Sequence, residues 1–283
     1  MRRFHRFVVP LFILAVLVTP VLARAQSPDA AKLTEPSLTR DQMREFLLKA
    51  KIIKSRDIGK GTTHPFRLTL TDGTLTHDAA FQSIDEKSAI ANLKGSGGGP
   101  NVEFNFVDSW RYNLAAESLA TLLGVEYMMP VHVERNWNGK KGSLSWWAAN
   151  MMDEGERLKK KIEAPNPADW NNQMYRMRVF GALARDTDRN LTNVLITSDW
   201  KILMIDFTRA FRLQAQIASY KDLPKCDRGM FEKMKALTKA SIAQAVGDYL
   251  TPNEIGGVLK RRDLLVTHFD GLIKEQGEGS VLY

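Results

Sequence analysis

The chain has 283 residues, of which 44% are hydrophobic, 25% charged and 9% aromatic, and its formal charge is +8. These values exclude a disordered tail protein, a collagen-like repeat and a multi-span membrane protein. The single cysteine, Cys226, has no partner to pair with inside the chain, which excludes a disulfide scaffold.

Met1 to Phe7 is short and basic, Val8 to Ala23 is apolar and uncharged, and Ala23-Arg24-Ala25 supplies small residues at the A-x-A positions. The pattern predicts a signal peptide over residues 1–25, cleaved before Gln26, and so an exported protein, periplasmic or secreted. An uncleaved anchor is the competing reading, and Pro20 and the cleavage-like site count against it. Residues 1–25 carry four arginines and no acid, which leaves +4 on the remainder. The longest basic runs there are Lys159-Lys160-Lys161 and Lys260-Arg261-Arg262. Both read as solvated helix surface, so nucleic acid is not an expected partner. No stable membrane span is expected after cleavage.

Residues 26–40 read as a flexible leader. Met43, Phe46, Leu47 and Ala50 share a helical face over 41–50. Arg67 to Thr71 reads as a strand, Asp72-Gly73 as a turn and Thr74 to Phe81 as the return. Lys94 to Pro100 is a glycine-rich loop. Asp108 to Leu123 predicts a helix with Tyr112, Ala115, Ala116, Leu119, Leu122 and Leu123 on its apolar stripe and Gly124 at its end. Val131 to Arg135 and Ser143 to Trp147 flank a hairpin turn at Asn138-Gly139-Lys140. From Met152 on the pattern is mostly helical, with a break at Pro165 and Pro167 and a capping box at Thr251-Pro252-Asn253-Glu254. Strands before about residue 148 and helices after it predict an α+β fold of two lobes, a β-rich one over 41–148 and a helical one over 149–283.

The chemistry concentrates in 185–211. Val194 to Ile196 and Ile202 to Ile205 are short apolar strands around Asp199-Trp200. A two- or four-residue loop centred there pairs positions summing to 399, which sets Asn193 opposite Asp206 and on the same face. An amide oxygen and a carboxylate so placed suit one hard cation, Mg²⁺ or Mn²⁺. Asp188, in the loop just before, is placed to meet a substrate hydroxyl.

This order of Asp188, Asn193 five residues on, a hairpin, and Asp206 resembles the core of the protein-kinase-like superfamily. The strings DRNLTN and IDFTRAF are most similar to its atypical branches: phosphatidylinositol 3-/4-kinases, HipA-like kinases and secreted kinases. Most of the chain after residue 25 is also similar to an uncharacterised group of exported bacterial proteins. The resemblance implies a small β-rich lobe over a larger helical lobe, with ATP in the cleft. It implies Asp188 as the catalytic carboxylate, and Asn193 and Asp206 as the holders of Mg²⁺ (or Mn²⁺) against the phosphates. Upstream, Gly59-Lys60-Gly61 stands in the place of the glycine loop. Ala79-Ala80-Phe81-Gln82 lies where the family reads V-A-I-K, so Gln82 replaces the phosphate-contacting lysine. Either Asn113 or Glu117 is the helix partner. If it is Asn113, a Gln–Asn pair replaces the usual ion pair. Lys60 or Lys94 is the expected substitute for the phosphate-contacting lysine. Thr208 replaces the glycine after Asp-Phe. Two functions compete: an exported atypical kinase that transfers phosphate from Mg-ATP to a hydroxyl of a protein or envelope acceptor, and a pseudokinase-like binding module of the cell envelope. A third reading drops the kinase fold for an exported structural domain.

Other signals are weaker. Asp186 to Asn190 begins like an EF-hand loop, but Leu191 and Thr197 stand where glycine and glutamate are needed. Asn190-Leu191-Thr192 matches a glycosylation triplet at a position unsuited to it. Gly95 to Gly99 lacks the Gly-Lys-Ser/Thr ending of a phosphate loop and reads as a connector. The histidines are scattered without metal-ligand spacing, Cys226 reads as an inert thiol, and Trp146-Trp147 reads as hinge and core packing. Arg209 reads as a salt-bridge partner, with a phosphate contact as the minor alternative.

Overall fold

The structure is a computed structural model that describes residues 38–59, 65–94 and 100–283. The expected signal peptide over 1–25, the expected leader up to residue 37, Lys60, Gly61, His64, the glycine run 95–99 and the side chain of Lys94 lie outside what is described.

Helix α1 (Arg40–Lys49) starts at Thr39, whose hydroxyl and Gln42 form a reciprocal capping box, and it buries Phe46 and Leu47. Strands β1 (Lys51–Asp57), β2 (Phe66–Thr71) and β3 (Thr76–Gln82) follow. Strands β6 (His132–Trp137) and β7 (Lys140–Trp146) complete an antiparallel sheet of order β1-β2-β3-β7-β6. Alternation in β2 and β3 turns Leu68, Leu70, Ala79 and Phe81 inward, where they pack with Phe46, Leu144 and Trp146. The β6–β7 turn is Asn138-Gly139 with φ of 50° and 72°, the primed hairpin geometry that suits an Asn-Gly pair. Strand β1 was not foreseen. It is an edge strand, mostly exposed and charged, and its register slips between Ile52 and Lys54.

Strands β4 (Asp85–Lys94) and β5 (Pro100–Ser109) form a separate two-stranded antiparallel ribbon. This corrects the predicted start of the next helix at Asp108. Ser109 N–H donates to Thr208 O (2.9 Å) and Trp110 N–H to Ile84 O (2.8 Å), so the chain stays extended there. Helix α2 (Arg111–Leu123) begins only afterwards and ends, as predicted, at Gly124 with φ +71°.

Past α2 come β8 (Met152–Asp153), α3 (Glu154–Lys160) and α4 (Pro167–Ala184). The short strands β9 (Val194–Ile196) and β10 (Ile202–Met204) join β8 in a second sheet, order β10-β9-β8. Helices α5 (Arg228–Ala236), α6 (Lys239–Val246), α7 (Pro252–Gln276) and α8 (Glu278–Val281) complete the chain. Thr251 caps α7 through the predicted box with Glu254. Phe180, Leu183, Phe207, Phe231, Leu265 and Phe269 centre a second core. The stripe of α2 packs into that second core although α2 falls within 41–148, so α2 lies between the two layers. The fold is two-lobed α+β, a sheet lobe above a helical lobe.

The run Lys260-Arg261-Arg262 is not the solvated surface expected of it. Arg261 is 0% exposed and donates to the carbonyls of Leu183, Arg212 and Gln214. Burial, with Arg185 nearby, pulls its guanidinium down to about 10. Among the described residues no helix is long and apolar enough to cross a membrane.

Candidate functional site

Helix α4 ends on Arg185 in left-handed backbone (φ 50°), and the chain turns sharply into the loop that carries Asp188. Arg189 braces that loop. Its Nε donates to the buried Asp186 carboxylate at 2.7 Å, its Nη1 to Asn193 O at 2.9 Å and also to Ile205 O, and its guanidinium lies 4.2 Å from the Phe207 ring centre. Asn190 accepts from Thr192 N–H (3.0 Å) and holds the short turn that presents Asn193. Asn193 Nδ2 donates to Asp188 O at 3.1 Å. With its nitrogen so engaged, the amide of Asn193 keeps its oxygen for another partner.

The hairpin that follows corrects the predicted register. Pairs Ile202↔Ile196 and Met204↔Val194 sum to 398, not 399. Thr197 N–H donates to Lys201 O (3.0 Å), closing a three-residue loop whose last member, Trp200, has φ 62°. Three-residue hairpin loops end on a left-handed residue in this way. Asn193 therefore faces Ile205, whose N–H donates to Asn193 O at 3.1 Å. Asp206 still turns toward the site because its own backbone is left-handed, φ 58°. Left-handed backbone costs a non-glycine residue roughly 1–2 kcal/mol, which neighbouring contacts must offset. Here Gln82 Nε2 (3.1 Å) and the Thr208 hydroxyl (3.1 Å) both donate to Asp206 Oδ1.

Gln82 is in turn held by the helix. Asn113 Nδ2 donates to Gln82 Oε1 at 2.7 Å and to Ser143 Oγ at 3.1 Å, and Asn113 Oδ1 accepts from Phe207 N–H at 2.8 Å. Strand β7 passes closely here only because Gly142 has no side chain: a Cβ would stand 2.3 Å from Gln82 O. Of the two helix candidates it is Asn113 that meets Gln82. Glu117, one turn further along α2, belongs to a different set and is a correction to its nucleotide-binding assignment. It bonds Arg40 Nη2 (2.6 Å), Arg44 Nη2 (2.8 Å) and His132 N–H (2.7 Å), tying α2 to α1 and β6. Burial pushes its carboxyl up, but His132 and the Arg44 and Arg40 guanidiniums outweigh that and hold it at about 2.

Asp188, Asn193, Asp206 and Gln82 line one cavity of about 390 Å³, roofed by Ile58, Pro65 and Ala80 and walled at one end by Trp146, Trp147 and Asn150. Gly59 follows the lining residue Ile58 in the chain but is not itself in the lining; it has φ +67° and its N–H donates to Asp57 Oδ1 at 2.7 Å. Gly61 is outside the described residues. The Asp188 carboxyl is pushed up by burial and by the Asp206 and Asp186 carboxylates, against the pull of Arg209, whose Nη1 lies 3.5 Å from Asp188 Oδ2. A second cavity of similar volume, lined by Phe106, Tyr112 and Glu254, holds none of these residues.

The donor set fits a hard cation. Among the described residues Asp206 Oδ2 accepts no hydrogen bond, and Asn193 Oδ1 is likewise unengaged. No three His, Cys, Asp or Glu side chains among them come close enough to hold a metal ion without other ligands. One carboxylate with one amide oxygen is the usual protein share of a Mg²⁺ that phosphates and waters complete. Two residues escaped the sequence reading. Arg189 left a signal in its spacing, three after Asp186. Asp108, which also lines the cavity, left none, because it arrives on the unforeseen ribbon.

A lobe of antiparallel strands over a helical lobe, with loop Asp, hairpin Asn and following Asp in the cleft, defines the protein-kinase-like fold in its atypical form. Solved structures agree. The chain is similar to hydra Fam20 determined with a sugar, at 13% identity over 88% of this chain and 93% of that one, TM-score 0.60. It is similar also to the Golgi casein kinase, at 12% identity over 86% of this chain and 79% of that one, TM-score 0.59. The form of that kinase with Mn and ADP bound aligns at 11% identity over 86% and 78%, TM-score 0.59. No protein-family profile and no curated protein sequence matches the chain.

Proposed function

We propose that the chain is an exported atypical kinase that transfers phosphate from a metal–ATP complex to a hydroxyl acceptor. The observation that carries this is the convergence of Asp188, Asn193 and Asp206 on one cavity, with the loop braced by Arg189. The Mn and ADP held by the similar Golgi casein kinase support a nucleotide and a divalent cation as ligands. Asn193 and Asp206 would hold the cation, which when bound offsets phosphate charge. Asp188 orients the acceptor hydroxyl. The hydroxyl oxygen bonds to the γ-phosphorus, the bond from phosphorus to the leaving ADP oxygen breaks, and the hydroxyl proton passes to Asp188. Its upward-shifted carboxyl suits it to take that proton. Export rests on residues 1–25 and is tested by the mass of the mature chain, which should start at Gln26.

The test is calorimetric titration with ATP plus Mg²⁺ or Mn²⁺ beside Asp206→Ala. Metal-dependent binding that disappears in the variant is the expected result. Unchanged binding in the variant refutes the site. One observation favours a second reading, a pseudokinase-like binding module: the neutral Gln82–Asn113 pair stands where a lysine ion pair would be. Absence of nucleotide binding at millimolar concentration would select it.

A further inference from the structure

We infer that Arg209 is the cation that meets the terminal phosphate of a bound nucleotide, with Asp108 as its positioning residue. This rests on the nucleotide reading above and adds a residue to it. Gln82 brings no charge, and the described lining of the cavity is acidic: Asp108, Asp153, Asp188 and Asp206 line it together with Arg209. A triphosphate entering such a cavity needs a fixed cation as well as its metal ion.

Arg209 is oriented and unsaturated. Its Nε–H donates to Asp108 Oδ2 at 3.0 Å, and Phe106 lies against its guanidinium, 5.5 Å from ring centre to Cζ. Asp108 is 3% exposed, and its other oxygen, Oδ1, is buried without a hydrogen bond among the described residues. The contact to Asp188 is an ion pair at 3.5 Å rather than a hydrogen bond. Two structural arginines, Arg157 and Arg189, are used up differently. Arg157 spends Nε and Nη2 on Glu154 and Nη1 on Ile162 O. Arg189 engages Asp186 and two carbonyls. Arg209 makes one side-chain hydrogen bond to described residues, and its Nη1 stands beside Asp188. A planar fork with free donors at that point matches a phosphoryl group.

The test is titration of the protein with ATP and with ADP, each with excess Mg²⁺. Arg209→Gln should weaken ATP about tenfold or more and ADP less than about threefold, the loss of charge-assisted bonds to one phosphate. That variant leaves Asp108 buried without its cation. D108N/R209Q, which neutralises the pair, is therefore measured beside it and should show the same selective loss. Arg209→Lys, which keeps the charge but loses the fork, should fall between. A wild-type ratio of ATP to ADP affinity in D108N/R209Q, whether both are unchanged or both fall equally, overturns the inference and leaves the nucleotide site standing. Failure of the wild-type protein to bind either nucleotide overturns the nucleotide reading, and this inference with it.

Discussion

Asn113→Ala tests whether one buried amide joins the two lobes to the segment that carries Asp206. Asn113 is 1% exposed and makes three hydrogen bonds, to Gln82 on β3, to Ser143 on β7 and from Phe207 N–H beside Asp206. At about 1 kcal/mol net for each, their loss costs about 3 kcal/mol. The orphaned Phe207 N–H, in a buried residue, keeps the cost from falling below that. For a chain of this size the melting temperature should fall by about 6–12 °C. Urea denaturation followed by far-UV circular dichroism measures the change, with Asn113→Asp as companion. Aspartate keeps the acceptor for Phe207 N–H but gives up the donors and sets a second carboxylate near Asp206, so it should be at least as damaging. A loss under about 0.5 kcal/mol in Asn113→Ala would refute the reasoning, since it would mean that solvent or rearrangement replaces all three bonds.

Installing the lysine–glutamate pair of the kinase-like pattern with Gln82→Lys and Asn113→Glu together should strengthen Mg-ATP binding about tenfold in calorimetry. No gain would show that the neutral pair does not limit affinity. Glu117 has a folded value near 2 against an ordinary 4.5, so its stabilisation is present above pH about 4.5 and is lost as pH falls toward 2. The whole effect is about 3 kcal/mol, and Glu117→Gln should flatten the acid limb of a stability-against-pH profile over that window. Cys226 is buried, and burial pushes its thiol up to about 12, so iodoacetamide should label it only after unfolding. Rapid labelling of the native protein would contradict its packing.

What the sequence made legible was local. Asp188 and Asn193 lie five residues apart on one loop, and Asp206 lies one hairpin away, so residue type and spacing are enough to nominate them. The register missed by one because a left-handed Trp200 makes the loop three residues rather than two or four, and nothing in a tryptophan announces φ 62°. Gln82 could be matched by its place on the third strand of the pattern. The choice between Asn113 and Glu117 could not be made, because both lie on one face of α2 and only the packing of α1 shows that Arg40 and Arg44 claim the second. Arg261 misled for a similar reason: a basic run on a helix normally faces water, and the three carbonyls that satisfy it come from distant segments. The ribbon β4–β5 escaped notice because its exposed Ile90, Val102 and Phe104 give no clear one-sided burial pattern.

The register slip and the neutral pair have a common consequence at Asp206. Strand pairing alone would direct its side chain away from the face of Asn193, since a shift of one residue exchanges the faces. The left-handed turn brings it back, and the amide of Gln82 and the hydroxyl of Thr208 hold it there through Oδ1. A lysine at position 82 would neutralise that carboxylate. A glutamine positions it and leaves its charge intact, with Oδ2 unengaged. The arrangement therefore keeps the geometry of a kinase cleft while making it more negative. Burial and the Asp206 and Asp186 carboxylates already make Asp188 costlier to ionise, and Arg209 offsets that from the side of Asp108. Such a cleft gains more from a bound divalent cation than one with a strand lysine. The balance of charge, more than the outline of the fold, decides whether nucleotide enters.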